Sequence, residues 1–160
     1  MYYLGHQHVL QEYCYSEEIG WFAGGIGGMN VRTSPNTQLC ATCFYDEGRV
    51  HVLLYYQGKC RLFSKCCLFF ETPKEPGSRD ITEMSWYDGT WRAGRRLSIA
   101  DALDGTSIAA VALNWNGGIS IRVHYQAEDL SLRDYCYDSG HGWYPGWSTN
   151  IIQPYLPRWN

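Results

Sequence analysis

The sequence predicts an all-β fold made of repeated units of short strands. Runs rich in Val, Ile, Tyr and Trp alternate with Gly, Asn, Asp and Pro, which is typical of strands joined by turns. No window of useful length shows the 3.6-residue periodicity of a helix. Two different motifs also recur along the chain at matched spacing, which indicates a repeat architecture.

The first motif is an acidic residue, a tryptophan eight or nine places later and a glycine three places after that. It occurs in LQEYCYSEEIGWFAG (10–24), ITEMSWYDGTWRAG (81–94) and LRDYCYDSGHGWYPG (132–146). Its members are Glu12, Trp21 and Gly24; Glu83, Trp91 and Gly94; and Asp134, Trp143 and Gly146.

The second motif is a strand sequence, VHVLLYYQ (50–57) or SIRVHYQ (120–126), that follows an apolar run. Seventeen positions separate Cys40 in the first apolar run from Gln57, and the same number separates Ala109 in the second run from Gln126. Equal spacing of two unrelated motifs is hard to obtain by chance. In SIRVHYQ the side chains alternate, so the two polar residues share one face and the apolar residues the other.

The repeat period points to a propeller. The acid-to-acid spacing is 51 residues between the later two copies and 71 between the earlier two, and the excess falls in GKCRLFSKCCLFFETPKEPGSR (58–79). Without this insert the period is about 50, in the range of propeller blades. Strands that recur in this way favour four-stranded sheets arranged radially.

We therefore predict one domain over residues 1–160, a partial β-propeller of about two and a half to three four-stranded blades. Its expected parts are blade-like repeats at about 2–50, 51–119 (with the insert at about 58–78) and 120–147, and an atypical tail at 148–160.

Composition excludes several classes of protein. With 45% hydrophobic, 16% aromatic and 18% charged residues, the chain can build a core and is not of the disordered type. A net charge of −3 does not fit a nucleic-acid partner. No apolar run is long enough for a transmembrane helix, and the first residues lack the pattern of a signal peptide, so we expect a cytoplasmic protein with no membrane partner.

The seven cysteines raise the question of a metal site. Cys40 and Cys43 form a CxxC pair, and Cys60, Cys66 and Cys67 follow. A structural zinc site needs two such pairs, and the second pair here is broken. We expect free cysteines buried in strands, with no metal and no cofactor.

The stretch IRVHYQ…LRDYCYDSGHGWYPG resembles the fungal fucose-specific lectins of the Aleuria type, which are six-bladed propellers. The resemblance covers roughly residues 2–146 without the insert. In that family each fucose lies between neighbouring blades. An arginine from the IRVYYQ-like strand and a glutamate twelve residues later hold the sugar hydroxyls, and an aromatic residue of the following blade packs on the sugar. The resemblance implies a sugar-binding protein rather than an enzyme.

The residue types suit this task. Arginine presents a rigid fork of donors, and a carboxylate accepts hydrogen bonds from hydroxyls. A Trp or Tyr ring offers a flat apolar wall to the C–H groups and the methyl group of fucose.

The family pattern is carried over incompletely. Arg122 and Asp134 have the spacing of the arginine and the acid, although Asp134 is one methylene shorter than glutamate. Glu83 would face Trp143, but Leu53 stands where its arginine should be. The remaining candidates are Glu12, which would face Trp91, and Trp21, which would face a preceding blade.

The expected partners are L-fucose and fucosylated glycans. The resemblance also allows a homo-oligomer that closes the propeller and brings Trp21 of one chain to Arg122 and Asp134 of another.

Three other interpretations stay open at the level of sequence. The repeated tryptophans can be core residues. The chain can be a truncated fragment that binds nothing. A propeller glycoside hydrolase is the third, and it would need two carboxylates about 5 to 9 Å apart, with Glu83 and Asp88 or Asp101 and Asp104 as the candidates.

Overall fold

The computed structural model describes residues 1–58, 79–97, 99 and 101–147, and these residues form three antiparallel sheets. We call the sheets blades 1, 2 and 3. Blade 1 contains β1 (Tyr2–Leu4), β2 (Leu10–Ser16) and β3 (Gly20–Ala23). Blade 2 contains β4 (Cys40–Asp46), β5 (Arg49–Gln57), β6 (Ile81–Tyr87) and β7 (Thr90–Arg96). Blade 3 contains β8 (Ala109–Trp115), β9 (Gly118–Gln126), β10 (Leu132–Asp138) and β11 (Gly142–Pro145).

The all-β prediction is confirmed, and within each blade the strands pair in chain order. The sheets and the predicted sequence units are offset by one strand. The unit predicted at about 51–119, for example, holds β5, β6 and β7 of blade 2 and then β8 of blade 3. The offset arises because a sequence period does not mark which strand opens a sheet. The predicted tail and the insert after Gly58 lie outside the described residues.

Two-residue turns close three of the hairpins. Both residues of each turn have positive φ, which is the conformation of type I′ turns and matches the twist of the flanking strands. Asp and Asn tolerate this conformation and Gly adopts it freely, which explains the Asp-Gly and Asn-Gly pairs. The turns are Glu47–Gly48, Asp88–Gly89 and Asn116–Gly117.

Two hydrophobic clusters join the blades, and β5 contributes to both. Leu53 and Tyr55 belong to the cluster between blades 2 and 3, while Leu54 and Tyr56 belong to the cluster between blades 1 and 2. Because consecutive residues of a strand point to opposite faces, the unbroken apolar run of β5 covers both sides of blade 2. The apolar run of β5 is therefore explained by the position of blade 2 between blades 1 and 3.

Strand β9 buries only one face in these residues. Its apolar residues Ile121, Val123 and Tyr125 are at most 6% exposed and pack in the cluster between blades 2 and 3. Arg122 and His124 lie on the other face and are half-buried. The alternation predicted from SIRVHYQ is confirmed, and the polar face of β9 points away from blade 2.

The side chain of Gln57 links blade 2 to the loop that leads into blade 3. Gln57 is fully buried, and its Nε2 donates to the carbonyl of Leu103 at 2.8 Å. The N–H of Gly105 donates to its Oε1, also at 2.8 Å. A buried loop backbone needs such partners, so this amide fixes the spacing between the two blades.

Among the described cysteines, Cys136 is buried as expected, Cys14 and Cys40 are only partly buried, and the expectation is wrong for Cys43, which is exposed. Cys40 and Cys43 are three residues apart on β4, so they point to opposite faces and Cys40 alone packs against the core. Within residues 1–58, 79–97, 99 and 101–147, no three metal-ligating side chains come together. No helix in this part of the chain is long and apolar enough to cross a membrane.

Replacement of Gln57 by Leu is expected to lower the free energy of unfolding by about 3 kcal/mol, because it leaves the Leu103 carbonyl and the Gly105 N–H without their partner. The matched control is Gln126→Leu. Gln126 is at the equivalent position of β9 and donates in an exposed setting to the carbonyl of Leu130, so its loss should cost less than about 1 kcal/mol. Urea unfolding measures both, and equal losses would contradict the proposed role of Gln57.

Candidate functional site

Two clefts of about 420 Å³ lie between adjacent blades, a volume in the range of small-ligand sites. The first cleft is between blades 1 and 2 and the second cleft is between blades 2 and 3. The first is lined by Tyr2, Glu12, Cys14, Phe22, Ala23, Gly24, Gly25, Val52 and Trp86. The second is lined by Phe44, Leu53, Glu83, Ser85, Ala93, Gly94, Ile119, Ile121, Tyr137 and Trp143.

The clefts are built from equivalent positions of the repeat. Tyr2 pairs with Glu12 across β1 and β2, and Tyr55 pairs with Glu83 across β5 and β6, so the two acids occupy the same place in their blades. Each cleft thus receives one carboxylate from one blade and an aromatic wall from the next.

The opposite walls match as well. The first cleft is closed by the cross-strand pair Val52 and Trp86, and the second by the equivalent pair Ile121 and Tyr137. Such a wall is apolar and flat, which suits the C–H face of a sugar.

In the first cleft Glu12 is held by two aromatic side chains. Its Oε2 accepts a hydrogen bond from Trp91 Nε1 at 2.9 Å, and the ring of Trp91 meets that of Tyr2 edge to face. Burial and then the carboxylate of Glu12 raise the pKa of Tyr2. The predicted pairing of Glu12 with Trp91 is present, but Trp91 is only 7% exposed and packs in the core. The tryptophan that lines this cleft is Trp86.

In the second cleft the structure brings Glu83 and Trp143 together, as the sequence predicted. Glu83 Oε2 accepts a hydrogen bond from the buried hydroxyl of Tyr55 at 2.8 Å. Burial and then the charge of Glu83 raise the pKa of Tyr55. Trp143 stacks on Tyr135 with 5.6 Å between ring centroids. Leu53 also lines this cleft, so an apolar group stands at the position assigned to an arginine.

On blade 3 Arg122 and Asp134 lie on the same face of the sheet, because Arg122 pairs with Cys136, two residues beyond Asp134. The Arg122 guanidinium is bound by Asp138, with both terminal nitrogens 3.1 Å from Oδ1. Asp134 is 9% exposed and accepts a hydrogen bond from the Cys136 thiol at 3.3 Å. The expected arginine and acid are therefore neighbours, and a second acid fixes the arginine.

A polar network surrounds that second acid. Ser120 donates to Asp138 at 2.5 Å, and the hydroxyl of Tyr144 donates to it as well. The hydrogen bonds of Ser120 and Tyr144, followed by the guanidinium of Arg122, lower the pKa of Asp138 to about 2. Burial and then the bond to Asp134 raise the pKa of the Cys136 thiol to about 11. At neutral pH the carboxylate is charged and the thiol is protonated.

Trp21 lies in neither of the two clefts. It is 57% exposed and contacts Tyr13 and Tyr15, with ring centroids 5.9 and 5.4 Å away. Its cross-strand partner Tyr15 makes it equivalent to Trp91 and Trp143, which pair with Trp86 and Tyr137.

The glycine of the first motif makes room for the acid. A Cβ on Gly24 would lie 2.1 Å from Glu12 Oε2, and one on Gly146 would lie 2.0 Å from Asp134 Oδ2. On Gly94 it would lie 2.1 Å from the backbone oxygen of Glu83. In blades 1 and 3 the acid and the glycine recur together because the carboxylate sits against the glycine, whereas in blade 2 the close contact is with the backbone of the acid.

Several residues of the site were missed by sequence reasoning. They are Tyr2, Tyr55, Trp86, Tyr137 and Asp138. Tyr2 and Tyr55 could have been predicted, because MYYL and VLLYYQ place them at the same position of the repeat. Asp138 carried no signal, because only the strand register shows that it lies opposite Ser120.

Of the four carboxylates nominated for hydrolysis, Glu83 lines the second cleft and the other three make contacts elsewhere. Asp88 forms an exposed ion pair with Arg49, and Asp101 binds Arg133 and the hydroxyl of Tyr125. Asp104 accepts a hydrogen bond from Asn36 at 3.1 Å.

One three-stranded and two four-stranded antiparallel sheets, packed on one another with clefts between them, define a partial β-propeller. The model of the family described as fungal fucose-specific lectin matches residues 1–62 and 74–158, and the chain belongs to this family. The resemblance proposed from the sequence is confirmed, as is the partial propeller.

Two fungal lectins illustrate the relationship. The fucose-specific lectin of Aspergillus fumigatus is 29% identical over 147 residues, which is 91% of this chain and 40% of that protein. The six-bladed β-propeller lectin of Aleuria aurantia superposes with a TM-score of 0.66 at 27% identity, over 91% of this chain and 40% of that one. This chain thus spans less than half the length of these relatives.

Two further structures carry sugars. A variant of the Aleuria lectin in complex with α-methyl-L-fucoside matches with a TM-score of 0.67 at 26% identity, over 91% of this chain and 40% of that one. A fucose lectin from Kordia zhangzhouensis, in complex with methyl-fucoside, shares the fold with a TM-score of 0.64 at 24% identity. In that case the match covers 91% of this chain and 87% of the other, so the two chains are of similar size. These relatives are lectins.

Replacement of Gly94 by Ala is expected to lower the free energy of unfolding by about 2 kcal/mol, because the new methyl group would overlap the backbone of Glu83. Gly28→Ala is the matched control, since a Cβ there meets nothing within 4 Å, and it should change stability by less than about 0.5 kcal/mol. Thermal unfolding compares the two variants. A Gly94→Ala protein as stable as the control would refute the close approach of acid and glycine.

Proposed function

We propose that the protein is a lectin that binds L-fucose or fucosylated glycans in the clefts between adjacent blades. The observation that carries the proposal is the pair of equivalent clefts, each with one carboxylate and one aromatic wall. The membership of the chain in the fungal fucose-specific lectin family points to fucose among the neutral sugars.

The carboxylates of Glu12 and Glu83 are the proposed acceptors for sugar hydroxyls. Each already accepts a hydrogen bond from an aromatic side chain, Trp91 or Tyr55, which fixes its orientation. A fixed acceptor loses little entropy when a ligand binds, which favours binding.

The aromatic walls are proposed to supply the apolar contact. Trp86 fills this role in the first cleft, and Tyr137 with Trp143 fills it in the second. A ring packed against other rings is rigid and offers contact area at low entropic cost.

Each cleft holds few polar groups, so one cleft should bind a monosaccharide weakly. Two clefts on one rigid scaffold raise the apparent affinity for a glycan that carries several fucose residues. We therefore expect the physiological ligand to be a multivalent fucosylated glycan.

A fragment that binds no sugar is the competing candidate. It is favoured by one observation, that Leu53 replaces the basic residue in the second cleft. The experiment below separates the two.

Titration of the protein with L-fucose, followed by intrinsic tryptophan fluorescence, should give a saturable change that D-galactose does not give. The double variant Glu12→Gln, Glu83→Gln should bind about 10-fold or more weakly, because a hydrogen bond to a charged group contributes about 1.5–3 kcal/mol. Glu18→Gln is the control, since Glu18 lies in the exposed turn between β2 and β3. A folded wild-type protein that shows no response to fucose would support the inert fragment instead.

A further inference from the structure

Blade 1 exposes aromatic side chains on one face. In blades 2 and 3 the equivalent side chains are buried or line a cleft. Tyr15 is 61% exposed and Trp21 is 57% exposed. The strand register makes this pair equivalent to Trp86 with Trp91 and to Tyr137 with Trp143. Those two pairs face the preceding blade, where they form the cores and the aromatic walls of the two clefts.

We call the packed contact between two adjacent blades a junction. Blade 3 exposes the side of such a junction that would face a following blade. On β8, Val111 is 45% exposed and Leu113 is 60% exposed. Their register partners make them equivalent to Thr42 and Phe44 of β4. Phe44 packs against the cluster between blades 2 and 3 and lines the second cleft together with Trp143. Leu113 is therefore placed to meet a tryptophan of a following blade.

We propose that a second copy of this chain places its blade 1 on the open face of blade 3, and that the same contact in the other direction closes a two-chain ring. The two exposed faces are the halves of a junction that the chain already forms within itself, so they are complementary by construction. A head-to-tail contact between two copies closes when the rotation that it imposes amounts to half a turn.

The number of strands in the described residues supports a pair of copies. Eleven strands are found in the described residues, and two copies bring nearly the strand number of a six-bladed propeller. The solved Kordia lectin, of which this chain covers 87%, shows that a chain of this size can carry the fold.

The junction would create a third cleft with a composition that the other two lack. One copy supplies Asp134 at the position of Glu12 and Glu83, together with Arg122, whose guanidinium is one-third exposed and fixed by Asp138. The second copy supplies Trp21. This cleft unites a cation, a carboxylate and an aromatic wall, whereas the second cleft has Leu53 in place of the cation.

The sugar-binding part of this inference rests on the proposed function, and it assigns the tightest fucose site to the junction. The association of two copies does not depend on sugar. It is driven by the burial of apolar area on Trp21, Tyr15, Val111 and Leu113.

Sedimentation velocity of the 160-residue protein tests the association. We expect twice the 18.4 kDa mass of one chain. Trp21→Asp and Leu113→Asp each damage one half of the junction, so each alone should be monomeric at a concentration where the wild type is dimeric. An equimolar mixture of the two variants should form dimers again, because a mixed pair keeps one intact junction.

Ile19→Asp is the matched control. Ile19 is 70% exposed in the turn between β2 and β3 and belongs to neither face, so this variant should remain dimeric. Circular dichroism establishes that every variant is folded. A monomeric wild type, or a mixture of folded variants that stays monomeric, would overturn the inference.

Fucose titration distinguishes the inference from the proposed function. The wild type should bind three fucose molecules per chain and Trp21→Asp two, with the tightest site lost. A monomer that binds two fucose molecules would refute the two-chain ring and support the proposed lectin function. A dimer that binds no fucose would support the ring and refute the proposed function.

Discussion

Each blade packs apolar residues on its neighbours, through the two clusters that join the three sheets. A single four-stranded sheet has two faces and can cover neither by itself. In blade 2, strand β5 has consecutive apolar residues that cover both faces. Leu53 and Tyr55 pack in one cluster, and Leu54 and Tyr56 pack in the other. Stability is therefore shared between blades. A change such as the loss of Gln57 acts on the spacing between sheets rather than on one sheet.

The clefts arise from the same packing. Each cleft lies beside the cluster that joins two blades, and residues of both blades line it. The acid comes from one side, held by Tyr55 or Trp91, and the aromatic wall comes from the other. The glycine opposite each acid is a condition for this arrangement, since a Cβ there would collide with the acid or its backbone. The chemistry of the site and the stability of the fold thus share residues.

Much of this could be predicted from the sequence because the chain repeats. The acid, tryptophan and glycine of the first motif predicted the all-β units and the pairing of Glu12 with Trp91 and of Glu83 with Trp143. The burial of Trp91 could not be predicted, because it depends on the packing of blade 1 against blade 2. The tryptophan that lines the first cleft is Trp86 instead. The role of Asp138 could not be predicted either. Its ion pair with Arg122 depends on cross-strand register, which the spacing of residues along one chain does not encode.

We propose that the clefts between blades are the sugar sites, and a crystal structure of the protein soaked with methyl α-L-fucoside would show whether they are. We expect density for the sugar in the first and second clefts, with hydroxyls on the carboxylates of Glu12 and Glu83 and the sugar's apolar face on Trp86 or Trp143. Empty clefts at a saturating concentration of the sugar, or sugar bound only elsewhere on the molecule, would contradict it.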